Sequence, residues 1–393
     1  MMAQAIISRR GGGSGYATIT FNGVSALAKQ GAAALVWPRY GLAATSVGNY
    51  ALFGGGNGNS YRVEIDAYNT SLTKASISAS QKLDQARSNL AATTVGNYAL
   101  FGGGYNGSYL STVDAYNTSL TRSTPTSLSA TRRYLAATTV GNYALFGGGE
   151  GLNSSSSSRV DAYDTSLTRT TPTSLSEVAR KLLAATTVGN YALFGGGING
   201  SYYYGIVDAY NTSLTRTTHT SLSEGKGSLS ATTVGNYALF GGGYTGSAYS
   251  PTVNAYDTSL TRSTPTSLSQ GRYDLSATTV GNYALFGGGN ASARTSKVDA
   301  YNTSLTRSTP NALSEVRSGL AATTVGNYAL FGGGFPDTST VDAYYVNNKV
   351  QVYPGTKYKL GSMTTESTSS TMKDVITTAP ITGYIKIKDA TIN

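Results

Sequence analysis

The sequence predicts an all-β chain folded as a seven-bladed β-propeller, and three observations point there. The ten residues VGNYALFGGG, first at Val47–Gly56, return unchanged from Val95, Val140, Val188, Val234, Val280 and Val325. These anchors are spaced by about 46 residues on average, inside the roughly 40–50-residue period of propeller repeats. Glycine (48) and tyrosine (30) are abundant and charged residues make up only 12%, which suits short strands joined by turns.

Each repeat reads LAATTV–GN–YALFGGG–loop–VDAYNTSLTRSTPTSLS–loop. LAATTV and YALFG are β-type runs separated by Gly-Asn, a pair that tolerates positive φ in a two-residue hairpin. YALF alternates two unequal faces, as a strand does. VDAY forms the third strand, Asn-Thr-Ser a turn and LTRSTP the fourth strand. Four antiparallel strands per repeat complete the propeller pattern.

The last repeat stops at Val341-Asp342-Ala343-Tyr344 without an LTR segment, whereas LAKQGAAAL (27–35) lies upstream of the first. Leu27, Lys29 and Leu35 fall on the positions of Leu120, Arg122 and Leu128. The N-terminal segment is therefore expected to close the last blade, with Lys349–Tyr353 as the competing strand. Three parts follow: an attachment segment at 1–20, a propeller at 21–344 and a small β-rich C-terminal attachment module at 345–393. The first carries a glycine hinge after Arg9 and Arg10, and the last a Ser/Thr-rich stretch.

YALFGGG followed by VDAYN resembles the Kelch repeat, in which a glycine pair ends the second strand and a tyrosine lies in the third. The resemblance spans Leu42 to about Tyr344. It departs where the usual fourth-strand tryptophan is replaced by Leu72, Leu120, Leu167, Leu214, Leu260 and Leu305.

Charge argues against nucleic acid. Residues 1–41 carry four basic and no acidic side chains, and 345–393 carry six and three. The repeats between them hold 19 basic and 16 acidic residues, so the +10 net charge sits mostly in the ends. No run approaches the ~20 apolar residues of a membrane span, and the start lacks the apolar core of a secretion signal.

Catalysis finds no asymmetric cluster. G-x-G-x-x-G at Gly102–Gly107, Gly195–Gly200 and Gly241–Gly246 precedes a strand instead of the helix that a dinucleotide site needs. The absence of cysteine removes thiolate chemistry, and His219 is the single histidine. The VDAY aspartates and LTR cations recur once per blade, which fits a structural pattern better than a catalytic pair. A non-enzymatic protein without cofactor or metal is expected.

Variation is concentrated in the 2–3 and 4–1 connections, which share one face, while the 1–2 and 3–4 turns of the other face stay fixed. The 2–3 loops carry Tyr61, Tyr105, Tyr109, Tyr202, Tyr203, Tyr204, Tyr244 and Tyr249 among Asn, Ser and Gly. Antibody paratopes use that set, and aromatic faces suit sugar rings. The 4–1 connections add Arg132, Arg133, Arg180 and Arg272, with Glu177, Glu224, Asp274 and Glu315 as acidic neighbours. These residues form the expected ligand face. The basic-glycine start and β-rich display unit resemble bacteriophage fibre and receptor-binding proteins. That implies a virion-surface protein recognising a cell-surface glycan or protein and held to virion partners by its ends. The alternative is a cytoplasmic Kelch scaffold.

Overall fold

The structure is a computed structural model. It describes residues 26–176 and 178–352, with short strand segments at 6–8, 16–20, 359–360, 373–377 and 385–388; side chains are described for 27–346 except 177. The glycine hinge and most of the Ser/Thr-rich stretch lie outside the described residues. The chain divides into two compact units, Lys29–Tyr344 and a second one built from Met1–Ala28 and Tyr345–Asn393. In the second, Ile6–Ser8, Tyr16–Thr20, Ile385–Lys388 and Lys359–Leu360 align in that order as an antiparallel sheet.

The first unit is all β, with seven four-stranded antiparallel blades. Blade 2 is representative. Ala91–Val95, Tyr98–Gly102, Val113–Asn117 and Arg122–Ser123 run in sequence order, with Val95 opposite Tyr98 and Gly102 opposite Val113. In blade 1 the fourth strand shrinks to a bridge between Tyr68 and Lys74. Blade 7 orders its strands Ala321–Val325, Tyr328–Gly332, Val341–Val352 and Ala26–Ala32, so a segment from the chain start stands fourth. Lys349–Val352 continue the third strand and pair instead with Lys373–Thr377. The first strands of successive blades touch all round the ring, the seventh meeting the first.

The constant residues are the seams between blades. Phe101 and Tyr116 of blade 2 meet edge to face, centroids 5.9 Å apart, inside a cluster that also holds Leu52 and Ala67 of blade 1. The three glycines of GGG serve different ends. A Cβ on Gly102 would stand 2.8 Å from the Phe146 ring of the next blade. A Cβ on Gly103 would stand 2.5 Å from the Arg132 carbonyl, and Gly104 has φ +116°, a backbone that L side chains rarely adopt. The seam repeats to Gly332, which the Phe53 ring of blade 1 covers.

On the fixed face the Val-Gly-Asn turns of blades 1 to 5 and 7 lie against the next blade's third-to-fourth-strand turn, as Gly96 does against the Thr165 methyl. The leucines expected in the fourth strand are instead in these turns. Leu72, Leu120, Leu167, Leu214, Leu260 and Leu305 have φ between 59° and 63°. They follow an Asx turn in which Asn69 Oδ1 accepts the N–H groups of Ser71 and Thr73 at 3.0 and 2.9 Å. The fourth strand begins only after them, so these leucines are turn residues and not strand residues. Around the channel, threonines of neighbouring first strands join hydroxyl to hydroxyl, as Thr93 does with Thr139 at 2.9 Å.

No helix among the described residues is long and apolar enough to cross a membrane.

Candidate functional site: the variable face and its axial pocket

The variable connections share one face because they pair with one another. Tyr40 bridges Asn57, Ser88 bridges Tyr105, Arg133 bridges Glu150, Lys181 bridges Ile198, Gly227 bridges Tyr244, Tyr273 bridges Asn290 and Ser318 bridges Phe335. In every blade a residue of the 4–1 connection thus meets the first residue after GGG. Both partners are variable, yet the bridge is main chain, so neither side chain is needed for it.

One residue further along, the chain turns into a first strand and reaches the axis. Gly41, Asn89, Tyr134, Leu182, Ser228, Asp274 and Gly319 occupy this position, all with φ between 50° and 62°. Their main chains close a ring of seven hydrogen bonds. Asn89 N–H donates to the Gly41 carbonyl (2.7 Å), Tyr134 to Asn89 (3.0 Å), Leu182 to Tyr134 (3.0 Å) and Ser228 to Leu182 (2.9 Å). Asp274 then donates to Ser228 (3.0 Å), Gly319 to Asp274 (2.9 Å) and Gly41 to Gly319 (2.9 Å). The left-handed backbone costs a non-glycine residue about 1–2 kcal/mol, and five of the seven positions bear it. With the leucine that follows each of them, these residues line an open pocket of about 210 Å³.

Asp274 is solvent-exposed at the pocket wall, while the surrounding protein partly desolvates its carboxyl. Burial pushes its carboxyl above the ordinary aspartate value, and a hydrogen bond from Ser228 acts against that rise. Burial also raises the Tyr134 phenol; Arg133 opposes the rise, and the Asp274 charge adds to it.

Two aromatic groups flank the pocket. In the first, Tyr61 meets Tyr105 (6.1 Å) and Tyr105 meets Tyr109 (5.3 Å), both edge to face. The Arg133 guanidinium lies 4.5 Å from the Tyr105 centroid, 5.3 Å from Tyr109 and 4.8 Å from Tyr134. Tyr109 donates to Glu150 at 3.1 Å, and Glu150 also meets Arg133 (3.5 Å) and Lys181 (3.2 Å). Burial alone would raise the Glu150 carboxyl, but Lys181 and Arg133 hold it below its ordinary value. In the second group Tyr203 meets Tyr244 (5.7 Å), Tyr244 meets Tyr249 (5.7 Å), and Tyr249 stacks on Tyr273 at 17°. Tyr202 is 73% exposed, while Tyr204 is half-buried.

Three of the expected ligand residues are corrected. Arg132, Arg180 and Arg272 are fully buried and cannot touch a ligand. Each belongs to a clamp beneath the face, formed with the third-strand aspartate of the blade its connection leads into. Arg180 lies 2.6 Å from Asp208 and Arg272 2.9 Å from Asp299; Arg132 pairs with Asp161. The aspartate's other oxygen takes the fourth-strand cation, as Arg216 meets Asp208 at 3.1 Å, and a backbone N–H from the incoming connection, as Ser176 does at 3.0 Å. Lys29 meets Asp342 at 3.3 Å in the same way, filling the cation place of blade 7. Burial pulls the Arg132 guanidinium down to about 10, with Asp161 opposing, so it stays charged at neutral pH.

Blade 5 departs from the clamp in both partners together. Lys226 replaces the arginine and Asn254 the aspartate; Lys226 donates instead to the Thr252 carbonyl at 2.8 Å and lies 3.7 Å from Glu224.

Several face residues were not expected from the sequence: Tyr40, Tyr134, Tyr273 and Phe335, with Arg294 4.5 Å over the Phe335 ring, and Trp37 beneath Arg62 at 5.1 Å. All lie in variable segments, Tyr40 and Tyr273 at the bridging position of the 4–1 connection, Tyr134 one residue later and Phe335 first after GGG, so no single place in the repeat marked them. Glu177 lies outside the described residues. Neither a protein-family model nor a curated protein sequence matches this chain.

Proposed function

We propose that this chain is a non-catalytic, Kelch-type binding propeller displayed on a bacteriophage particle through its two ends, and that its variable face holds a cell-surface glycan or protein. One observation supports this reading above the others. On that face the blades are joined by main-chain bonds that do not depend on side-chain identity, and tyrosine side chains gather there into half-buried groups beside the exposed Tyr202 and Tyr249. Tyrosine gives large contact area with few rotors to immobilise, and neighbouring Asn, Ser and Gly adapt their hydrogen bonds.

The test is binding of the purified chain to intact bacteria and to a glycan panel, beside a variant carrying Tyr202→Ser, Tyr203→Ser, Tyr204→Ser and Arg133→Ser. Truncating residues at the centre of an interface costs enough that a drop of about tenfold or more is expected. Equal binding by the two proteins, with both fully folded, would overturn the assignment of the ligand to this face.

A further inference from the structure

We infer that the variable face binds an anionic saccharide where blades 6, 7 and 1 meet, with Arg62 and Arg294 holding its acidic groups and Trp37 and Phe335 its sugar rings. This rests on the face being a ligand surface.

The cations of this face divide by what neutralises them. Arg133 and Lys181 share Glu150, at 3.5 and 3.2 Å. Arg62 and Arg294 have no ion pair among the described residues. The acidic side chains of their sector do not supply one: Glu315 accepts from the Thr340 hydroxyl at 2.8 Å, and the exposed Asp337 is unpaired. Each of the two free guanidiniums lies over a ring instead, Arg62 5.1 Å from the Trp37 centroid and Arg294 4.5 Å from that of Phe335. Such a contact occupies the face of a guanidinium and restrains a long side chain. The N–H groups along its edge stay available to a carboxylate or a phosphate. Arg133 shows the completed arrangement, held over the Tyr105 ring with Glu150 as its carboxylate. Arg62 and Arg294 lack only that partner.

The rings point to a sugar as the carrier of the acid. Trp37 and Phe335 are 47% and 43% exposed, so both keep apolar surface open to a ligand. Tyr40, three residues after Trp37 in the same connection, meets Phe335 edge to face at 5.4 Å and ties the two into one surface. Its hydroxyl accepts a hydrogen bond from the Asn57 side chain at 3.2 Å, which places polar groups beside the rings. An aromatic ring offers a large apolar face to the C–H side of a pyranose, and a polar neighbour suits its hydroxyls.

Trp37 is the only tryptophan in the chain, so its fluorescence reports on this sector directly. The full-length chain would be titrated at near-neutral pH and low salt with trigalacturonic acid, its methyl ester, glucose 6-phosphate and glucose. Trigalacturonic acid is expected to shift the Trp37 emission and to bind about tenfold or more tightly than its ester, the gain of hydrogen bonds to a charged group. Added salt should shrink that preference. Arg62→Gln and Arg294→Gln should each lose part of it, and the two together, in a chain with unchanged circular dichroism, should erase it. A preference shown only for glucose 6-phosphate over glucose would identify the acid as a phosphate and uphold the inference. Equal affinity within both pairs, no change in Trp37 emission with any of the four, or a preference that survives the double variant would overturn it. Acid preference without cell binding would uphold the site and sink the receptor reading; cell binding by a chain indifferent to acids would do the opposite.

Discussion

The two faces of the ring are held together by different means. On the fixed face and along the strands, blade meets blade through side chains: Gly96 against the Thr165 methyl, Gly102 under the Phe146 ring. On the variable face the corresponding joints are main chain, a closed ring at the axis and a bridge in every blade. A side-chain seam dictates which residue stands on each side of it. A backbone seam leaves the side chain unspecified. The ten repeated residues are therefore constant because the next blade rests on them, and the connections vary where, the buried clamp arginine apart, their joints are main chain.

The sharpest way to break this contrast lies beneath the variable face, where the connection is clamped by side chains. Asp114→Asn removes the partner of Arg87, which has no exposed surface, and of Arg122. Stranding a buried charge costs about 3–5 kcal/mol, readable as a loss of unfolding free energy in urea. Adding Arg87→Lys copies the pair found in blade 5 and should return only part of it. Blade 2 has Gln85 and Leu110 where blade 5 supplies Glu224 and Ser250 to its lysine. Full recovery in the double variant would show that the swap needs no supporting residues.

A smaller loss is expected along the strands. Gly102→Ala places a methyl 2.8 Å from the Phe146 ring, an overpacking of about 1–3 kcal/mol. An unchanged denaturation midpoint would mean that the seam has slack. The smallest effect should carry the opposite sign. Leu182→Gly removes a side chain from a left-handed position and leaves its backbone bonds in place, gaining up to about 1 kcal/mol. A loss there would show that the variable face depends on its side chains after all.

The seven blades and the four-strand order were legible because the repeat is nearly exact and its turns are chemically explicit. The alignment of Lys29 with Arg122 was legible for the same reason. The buried arginines were misread: Arg132, Arg180 and Arg272 sit in variable, polar segments, and charge in a loop suggests solvent. The missed clue is periodic. Arg39, Arg87, Arg132, Arg180, Lys226, Arg272 and Arg317 each stand three residues before the leucine that opens a repeat. That is the once-per-blade recurrence by which the aspartates were recognised as structural. The axial ring had no comparable signal. Gly, Asn, Tyr, Leu, Ser and Asp share no property except the backbone conformation they adopt there, and only the folded ring imposes it.

The seventh blade has a mechanical consequence. The strand that begins the ring, Ala26–Ala32, and the strand that ends it, Val341–Val352, are neighbours in one sheet. Tension applied through the two ends of the propeller falls on the hydrogen bonds between those two strands, and the other six blades stay outside the load path. A tethered propeller of this kind would yield by opening at one seam, at a force set by that strand pair and not by the size of the ring.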